Sequence, residues 1–285
     1  MSKKTCIAIL VLVSFAGCSG LKKLPANAAD KLEEVRYGPY ERNIMDVYLP
    51  ANRTDKTPFV LLIHGGAWTM AGKEDIRDFQ DSLFRHGIAV ASINHRYAND
   101  TDVHYPQMMQ DVDQAVTYCQ AHAKDWQVNR KDLVMSGVSS GAHLALLYAY
   151  TTSKKVSAIV EFCGPTDLSD TTLLNYAIKV GLMPVIQKMT GKTYVKGQPV
   201  PSEFKDSSPL YHVKNIPVLL VHGTADPVVN FNQSQRLNDR LEAGRITHKL
   251  IPIPGAAHDL SLRTSPATKT MIYNEAEEWI LRYGK

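Results

Sequence analysis

The sequence predicts an α/β fold with a mostly parallel, doubly wound sheet, and three observations carry this prediction. From about residue 58 onward, short apolar runs rich in β-branched residues alternate with longer segments of helical character. The runs have no polar side, which is typical of strands buried on both faces of a parallel sheet. Short strands separated by helices also imply right-handed crossover connections, which wind a sheet in both directions.

The elements can be assigned in chain order. Strands are predicted at residues 59–63, 88–93, 133–135, 156–162, 218–221 and 249–253. Helices are predicted near residues 74–86, 105–123, 140–151, 231–243 and 267–282. Residues 42–49 alternate polar and apolar side chains, which predicts part of an antiparallel hairpin at the N-terminal edge of the sheet.

One segment interrupts the alternation of strands and helices. Residues 168–212 are far longer than an ordinary connection between two elements of such a sheet. Within them, residues 173–186 have the pattern of an amphipathic helix interrupted by Gly181 and Pro184. We therefore predict a small helical cap over the carboxyl edge of the sheet.

The N-terminus is expected to be a targeting segment rather than part of the fold. Lys3 and Lys4 precede an apolar run at residues 6–15, and small residues then lead to Cys18. The run is too short to be assigned as a membrane span. It predicts a signal peptide of the lipoprotein type at residues 1–17, with Cys18 as the lipid-anchored residue; an ordinary secretory signal is the alternative. Either signal predicts an exported protein, and an anchor at Cys18 places it on a membrane facing the periplasm or the cell exterior.

These assignments leave residues 18–34 as a tether and residues 35–285 as the folded domain, including the cap. The formal net charge of +4 is small for 285 residues, and no basic run is interleaved with aromatic residues, so nucleic acid is not an expected partner. Cys119 and Cys163 lie in apolar surroundings and are expected to be buried thiols, although a disulfide between them is possible.

The first motif with a chemical meaning is Gly-Val-Ser-Ser-Gly at residues 137–141. It follows a predicted strand and precedes a predicted helix, which is the setting of a nucleophile elbow. The turn is tight, so its flanking residues must be small, and the central serine is held above the sheet. Ser139 is therefore the candidate nucleophile, at a helix N-terminus that favours negative charge.

The second motif is His-Gly-Gly-Ala-Trp at residues 64–68, directly after the first parallel strand. Glycines allow the backbone to pass close to a substrate and to turn its N–H groups inward. Together with the residue after the nucleophile, such a loop forms an oxyanion hole. The expected donors are the backbone N–H groups of Gly66, Ala67 and Ser140.

Two further candidates each lie just past a predicted strand. Asp226 follows the strand at 218–221, and His258 follows the strand at 249–253. The chain order Ser139, Asp226, His258 is the order that a catalytic triad has when the nucleophile lies on a strand-to-helix elbow. Asp259 is adjacent to His258 and cannot readily reach the Nδ1 atom of that ring, which favours Asp226 as the partner.

The remaining polar residues are expected to be structural. We predict that His64 and His222 orient loops through hydrogen bonds, and that Asp111 and Asp113 are structural or solvated. The ten histidines include no pair at the spacing of a metal site, and no phosphate-binding glycine motif is present. The sequence therefore predicts neither a metal nor a cofactor.

On these motifs the chain resembles the carboxylesterase branch of the α/β-hydrolases, which includes hormone-sensitive-lipase-like esterases, bacterial feruloyl/acetyl esterases and kynurenine formamidases. The resemblance covers roughly residues 35–283 and extends to residues 93–97 and 226–229. It implies Ser139 as nucleophile, His258 as general acid and base, and Asp226 as the residue that orients His258. Ala67 replaces the third glycine of the commonest loop, and Ser140 replaces the usual alanine.

The resulting expectation is a serine carboxylesterase acting on a small or polysaccharide-linked ester, such as an acetyl or feruloyl ester of plant polysaccharide. Trp68 is the expected substrate contact, and further apolar contacts from the cap are equally compatible with a cap core: Tyr176, Leu182, Met183 and Ile186. A serine peptidase or amidase, a formamidase and a non-catalytic binding protein of the same fold are the alternatives. The oligomeric state is not determined by the sequence.

Overall fold

The structure is a computed structural model that describes residues 25–285. The predicted signal peptide at 1–17 and the proposed anchor Cys18 lie outside the described residues. Within them, no helix is long and apolar enough to cross a bilayer. The cysteines behave as expected, because Cys119 and Cys163 are both buried and both free.

In the described residues, eight strands form one sheet in the order β1-β2-β4-β3-β5-β6-β7-β8. The strands are β1 (Asp30–Arg36), β2 (Ile44–Leu49), β3 (Phe59–Ile63), β4 (Ala89–Ile93), β5 (Leu133–Val138), β6 (Val156–Phe162), β7 (Val218–Gly223) and β8 (His248–Ile253). β1 and β2 pair antiparallel at the N-terminal edge, and β3 to β8 pair parallel. This is the predicted doubly wound sheet with an antiparallel edge.

Eight α-helices accompany the sheet in the described part of the chain. They are α1 (Arg77–Arg85), α2 (Tyr105–Trp126), α3 (Ser140–Thr151), α4 (Thr171–Lys179), α5 (Met183–Thr190), α6 (Ser202–Asp206), α7 (Asn232–Ala243) and α8 (Pro266–Tyr283). The apolar faces of α2, α3 and α7 enter one buried cluster, and those of α1 and α8 enter a second cluster on the other face of the sheet. All five residues of β3 and of β4 are buried, because helices cover both faces of the central strands.

The predicted boundary between the tether and the folded domain is wrong. Residues 30–34 belong to β1, so the sheet begins at Asp30 and not at residue 35. The strand was missed because it is an edge strand with mostly polar, partly exposed side chains. Its pairing with β2 also shifts register between Leu32 and Val35, where Glu34 has a φ of 54°, and such a bulge disrupts the alternation that a strand pattern needs.

The segment at 168–212 holds α4, α5, α6 and a 3₁₀ turn at Pro209–Tyr211. The predicted interruption falls between α4 and α5. Gly181 has a φ of +76°, a conformation that favours glycine, and Pro184 lies in the first turn of α5, where a missing N–H costs nothing. The single amphipathic pattern is therefore two short helices with a corner between them.

Candidate active site

Ser139 lies at a sharp corner between β5 and α3. Its φ of 54° and ψ of −120° are unusual for a residue with a side chain, and small neighbours make the corner possible. A Cβ on Gly137 would lie 2.4 Å from the carbonyl carbon of Gly141, and a Cβ on Gly141 would lie 2.2 Å from the carbonyl oxygen of Ile63. The two glycines of the motif are therefore required for α3 to pack against β5 and β3.

The three predicted triad residues meet at the carboxyl edge of the sheet. His258 Nε2 lies 2.9 Å from Ser139 Oγ, and His258 Nδ1 lies 2.6 Å from Asp226 Oδ2. Ser139 follows β5, Asp226 follows β7 and His258 follows β8, because parallel strands end at the same edge of a sheet. The sequence placed each residue at a strand end, and the fold brings all three within hydrogen-bonding distance.

Asp226 is buried and held by several hydrogen bonds. Its Oδ1 accepts the backbone N–H groups of Val228 and Val229 at 2.8 and 2.9 Å. Its Oδ2 contacts His258 and also His222, whose Nε2 lies 3.2 Å away. Burial would raise the pKa of this carboxyl group, but the hydrogen bonds from the two histidines outweigh burial and hold the pKa well below its ordinary value. Asp226 is thus a permanent anion that can orient and stabilise the ring of His258.

The loop at 64–68 turns its backbone toward Ser139. Gly66, Ala67 and Trp68 have φ values of 106°, 48° and 60°, and a Cβ on Gly66 would lie 2.1 Å from the carbonyl oxygen of Met70. Within residues 25–285, the N–H groups of Gly66, Ala67 and Ser140 donate no hydrogen bond to another residue. Ala67 and Ser140 also line the cavity that contains Ser139. This geometry leaves backbone donors available for a negatively charged oxygen on a substrate.

Arg42 stabilises this loop, and sequence reasoning did not identify it. Its Nε donates to the carbonyl oxygen of His95 at 2.7 Å, and its Nη2 donates to the carbonyl oxygen of Ala71 at 3.1 Å. The guanidinium group also lies 3.7 Å above the ring of Tyr97, whose hydroxyl donates to the same Ala71 carbonyl. Residues 93–97, which share the pattern of the family, could have drawn attention to this part of the chain. Nothing in the sequence connects them to Arg42, however.

Trp68 is fixed by a buried histidine. The indole N–H donates to His143 Nδ1 at 3.2 Å, and His143 Nε2 donates to the carbonyl oxygen of Ser207 at 2.7 Å. Both ring nitrogens of His143 are therefore occupied, with Nδ1 as the acceptor. Trp68 is 4% exposed and lines the cavity, so its ring can touch a substrate only from a fixed orientation.

The cavity beside Ser139 is enclosed by the loop, the cap and the strand ends. Its walls are mainly aliphatic, and its lining includes Trp68, Leu168, Leu173, Leu174, Tyr176, Ala177, Leu182, Val185, Ile186, Val228 and Val229. Of the predicted cap contacts, Tyr176, Leu182 and Ile186 line the cavity. Met183 is buried and is not among the lining residues.

Among residues 25–285, two groups of side chains have ligand atoms close enough for a metal, and neither suits one. In the first, Asp226 and His258 already bond to each other, and burial raises the pKa of the Cys163 thiol well above its ordinary value, which disfavours a thiolate ligand. In the second, Glu34, Asp46 and Glu74 surround the buried ammonium of Lys73 at 2.5, 3.0 and 2.8 Å. Lys73 occupies the centre that a cation would need.

The chain is similar in sequence or in fold to several known proteins. The mycobacterial esterase LipQ of Mycobacterium tuberculosis is 26% identical over 94% of this chain and 68% of its own length. A carbohydrate esterase from gut microbiota superimposes with a TM-score of 0.71 at 22% identity, covering 90% of this chain and 99% of that one. A bifunctional GH43-CE protein of Bacteroides eggerthii superimposes with a TM-score of 0.67 at 26% identity, covering 87% of this chain and 38% of that one.

The sequence model of the BD-FAE family matches residues 45–241, which run from β2 through α7 and contain the loop, the elbow and Asp226. This match covers well over half of the chain. The chain therefore belongs to the BD-FAE family, and it is an α/β-hydrolase of the carboxylic ester hydrolase class.

Proposed function

We propose that the protein is a serine carboxylesterase in which Ser139, His258 and Asp226 act as a catalytic triad. The observation that carries this proposal is the continuous hydrogen-bonded chain from Ser139 Oγ through His258 to Asp226 Oδ2. A serine hydroxyl is a weak nucleophile unless a neighbouring base removes its proton. His258 is positioned to be that base, and Asp226 holds the ring with Nε2 toward Ser139.

The reaction proceeds in two acyl-transfer steps. As Ser139 Oγ attacks the ester carbonyl carbon, His258 Nε2 takes its proton, and the carbonyl oxygen becomes an oxyanion bound by the N–H groups of Gly66, Ala67 and Ser140. The C–O bond to the alcohol then breaks, and His258 gives its proton to the leaving oxygen. His258 then takes a proton from water, which attacks the acyl carbon; the bond to Ser139 Oγ breaks, His258 returns the proton to that oxygen, and the acid leaves.

The walls of the cavity favour an aliphatic acyl group of the substrate. Polar side chains among the lining residues are largely occupied: Gln233 bonds to Thr166 and Asp167, and the Tyr176 hydroxyl donates to the carbonyl oxygen of Pro227. The hydroxyl of Ser140 in the cavity wall has no hydrogen-bond partner among the described residues, but it lies beside Ser139. The phenolic hydroxyl of a feruloyl group lies across the ring from the carbonyl that Ser139 would attack, so at that end of the cavity it would lose water without gaining a partner, which costs about 1–3 kcal/mol. Between the two proposed ester classes, this favours acetyl or another short aliphatic acyl group over feruloyl.

The alcohol part of the ester would then lie at the cavity mouth. Asn230 lines the mouth with an exposed side chain. A sugar hydroxyl could bond there while the acyl group occupies the cavity. Acetylated plant polysaccharide is therefore the substrate class that we propose, and the fold shared with a carbohydrate esterase from gut microbiota is compatible with it.

The proposed function is tested with the purified protein, p-nitrophenyl esters of increasing acyl length and a fluorophosphonate probe. We expect turnover of short acyl esters and a single probe adduct on Ser139, found by mass spectrometry of the digested protein. Acetylated xylan and methyl ferulate distinguish the two polysaccharide esters, and peptide and anilide substrates test the peptidase or amidase alternative. A folded protein that turns over no ester and takes up no probe would be the non-catalytic binding protein.

Narrowing the cavity should change the acyl-length preference. Ala177 on α4 is 5% exposed and lines the cavity, so Ala177→Leu adds three carbon atoms to the space for the acyl group. We expect kcat/KM for octanoyl esters to fall about tenfold relative to acetyl esters, because each methylene excluded from an apolar pocket costs about 1 kcal/mol or more. Val195→Leu, at a cap residue that is 57% exposed and outside the lining, is the control. An unchanged preference in Ala177→Leu would mean that acyl groups bind elsewhere.

We also propose that the protein is exported and anchored to a membrane through lipid on Cys18, as the N-terminal sequence predicts. In cells fed a radiolabelled fatty acid, the wild type should carry the label and sediment with membranes. Cys18→Ser should lose the label, and the amount of protein that sediments with membranes should fall about tenfold or more. Two or more acyl chains on one cysteine are what makes such membrane binding stable. A variant that still sediments with membranes would contradict the lipid anchor.

A further inference from the structure

The amino edge of the sheet, opposite the cavity of Ser139, carries a depression with an excess of positive charge. It is formed by the segment before β3, by the segment between α2 and β5, and by the last residue of the chain. Its basic side chains are Arg53, Lys56, Lys124, Arg130, Lys131 and Lys285. We call this surface the basic depression.

Few negative groups balance these cations. They are Asp55, Asp132 and the carboxylate of residue 285, and Asp132 is already paired with Lys155 outside the basic depression. Six positive and three negative groups leave an excess of three positive charges. Since the formal net charge of the whole chain is only +4, the charge is concentrated on this edge.

Most of the cations are exposed and have no ion-pair partner within residues 25–285. This holds for Lys56, Lys124, Arg130, Lys131 and Lys285. Exposed cations that face one depression repel one another, and an anion placed between them would relieve that repulsion.

Arg53 adds a buried positive charge beneath this surface. The residue is 2% exposed, and its Nε and Nη1 atoms donate to the carbonyl oxygens of Trp126, Ala28 and Pro50. Its Nη2 atom has no hydrogen-bond partner among the described residues. Carbonyl oxygens carry no net charge, so these bonds hold the guanidinium group in place without neutralising it.

Arg53 also joins the basic depression to the N-terminal segment. Its backbone N–H donates to the carbonyl oxygen of Ala26 at 3.2 Å, and its Nη1 donates to that of Ala28 at 2.6 Å. The chain that precedes residue 25 therefore leaves the fold beside the basic depression. Cys18 is seven residues before residue 25, so a lipid on Cys18 would keep the bilayer within about 25 Å of this surface.

The charge of the possible occupants favours a membrane. Residues 18–24 contain Lys22 and Lys23 and no acidic residue, so the tether adds to the positive charge and does not cover it. A second copy of the chain would present the same positive surface and would be repelled. A bilayer with anionic lipids offers many phosphate groups at the distance that the tether allows.

The position of the basic depression also determines which way the catalytic cavity would face. Asp132 immediately precedes β5, and Ser139 immediately follows it. A strand of six residues is about 20 Å long, so the two surfaces lie at opposite edges of the sheet. Contact of one edge with a bilayer would leave the other edge toward the solution.

Building on the proposed anchor at Cys18, we propose that the basic depression is a membrane-contact surface that binds the phosphate groups of anionic lipids and turns the catalytic cavity toward the solution. The lipid holds the protein at the bilayer, and the charges orient it there. A polymer too large to pass beneath the protein could then reach Ser139 from the solution side.

The test uses the chain from Ser19 onward, which contains every strand and helix described and lacks the lipid-bearing residue. It is sedimented with vesicles of phosphatidylcholine alone, or of equal parts of phosphatidylcholine and phosphatidylglycerol. We expect it to sediment with the anionic vesicles only, and to be released in about 1 M salt, where the Debye length is about 3 Å. Protein that stays in solution with both kinds of vesicle would overturn the proposal.

A triple variant tests whether this particular surface makes the contact. Lys124→Gln, Arg130→Gln and Lys131→Gln together remove three exposed cations of the basic depression. Each basic residue close to an anionic bilayer contributes about fivefold to binding. We therefore expect binding to anionic vesicles to weaken at least about tenfold, with the thermal melt unchanged.

The matched control changes the same charge elsewhere. Lys179→Gln, Lys196→Gln and Arg263→Gln also remove two lysines and one arginine, which are exposed, unpaired among the described residues, and located on the cap or after β8. This variant should bind anionic vesicles within about twofold of the wild type. An equal loss in the two triple variants would show that only net charge matters, and would overturn the assignment of this surface.

The same variants test an acidic polysaccharide as the partner. Polygalacturonate is a soluble polyanion without phosphate groups. Wild-type protein that binds polygalacturonate, loses this binding in the triple variant of the basic depression and ignores anionic vesicles would identify an acidic polysaccharide as the partner and would overturn the membrane contact.

The orientation is measured with a polarity-sensitive dye on a single introduced thiol. Asp55→Cys places the dye at the basic depression, and Val195→Cys places it on the cap at a residue that is 57% exposed. Cys119 and Cys163 are buried, so the introduced thiol is the accessible one in residues 25–285. With anionic vesicles, the emission should shift to shorter wavelength for residue 55 and stay unchanged for residue 195. An unshifted dye at residue 55, or a shifted one at residue 195, would contradict the proposed orientation.

These measurements depend neither on turnover nor on lipid at Cys18. Failure of the lipid anchor would appear in the fatty-acid labelling of the full chain. Failure of the esterase function would appear in turnover and in the probe adduct on Ser139. Each of the three proposals can therefore fail by itself.

Discussion

Replacing Ser139 with alanine is expected to lower kcat for a p-nitrophenyl acetate-type ester by about 10⁴-fold or more, with little change in KM. In the proposed mechanism the Ser139 hydroxyl attacks the carbonyl carbon, and removal of a triad nucleophile leaves only the residual rate supported by the oxyanion hole and by substrate binding. The substitution keeps the Cβ atom, so the strained corner at φ 54° and its contacts with Gly137 and Gly141 are unchanged. Turnover assays with the pure variant measure the loss of activity, and a thermal melt shows whether the variant is still folded.

Ser136→Ala provides the matched control for this substitution. Ser136 lies three residues earlier, on β5, and is fully buried with no hydrogen-bond partner for its hydroxyl among the described residues. Its removal should leave kcat within about twofold, because no bond is broken and only one small atom is lost. If Ser139→Ala retained a substantial share of wild-type turnover while Ser136→Ala behaved as expected, Ser139 would not be the nucleophile.

The protein is also expected to lose most of its stability between about pH 6.5 and pH 4, owing to three buried histidines. They are His64, His95 and His143, all fully buried. Burial lowers their pKa values to about 3, about 4 and about 4. In the unfolded chain the same rings titrate near pH 6.5. Below that pH the unfolded state takes up protons that the folded state cannot, so the free energy of unfolding falls as the pH falls.

The expected loss in the free energy of unfolding follows from the lowered pKa values of these histidines. For His143 the difference corresponds to about 3 kcal/mol between pH 6.5 and pH 4. His64 and His95 stack face to face with their ring centroids 4.7 Å apart, so a charge on one also opposes a charge on the other. Glu161 and His222 have the opposite sign, because their raised pKa values contribute stability at low pH, but they are two groups against three. A domain is usually stable by only about 5–15 kcal/mol, so the net effect is large.

Urea unfolding at several pH values measures this dependence. His143→Gln can keep an acceptor for the Trp68 indole and a donor for the carbonyl oxygen of Ser207, and it cannot titrate. The variant should be less stable at neutral pH. Its free energy of unfolding should also fall less steeply as the pH is lowered, because unfolding of the variant takes up about one proton fewer. Equal slopes in the wild type and the variant would show that His143 does not contribute to acid unfolding.

Much of the fold followed from local patterns. The strands β3 to β7 are short apolar runs because they are almost completely buried, and this leaves a signal that does not depend on the rest of the chain. The strand β8 ends the sheet and is partly exposed, but its apolar residues still marked it in the sequence. The cap could be predicted because residues 168–212 are too long for an ordinary connection between a strand and a helix. The edge strand β1 had no such signal, since its side chains are mostly polar and its pairing contains a bulge. Only its hydrogen bonds to β2 make it a strand.

The candidate site, like the fold, contains residues that the sequence could predict and residues that it could not. Ser139, Asp226 and His258 could be predicted because each follows a strand, and the parallel sheet brings all strand ends to one edge. The glycines at the elbow could be predicted because a side chain there would collide with the backbone. These features depend on residue type and order, which the sequence contains directly.

Only the tertiary structure shows which residues surround the proposed triad. Arg42 reaches the loop at 64–71 from the hairpin, and Ser234 reaches Glu161 across 73 residues of sequence. A polar residue in an apolar run or on a helix looks the same in a sequence whether it is solvated or buried against a partner. The sequence therefore determined the fold class and the order of the three proposed catalytic residues. The packing of β6, β7 and α7 determined which charges act on Asp226, because electrostatic effects depend on distances that only the folded chain sets.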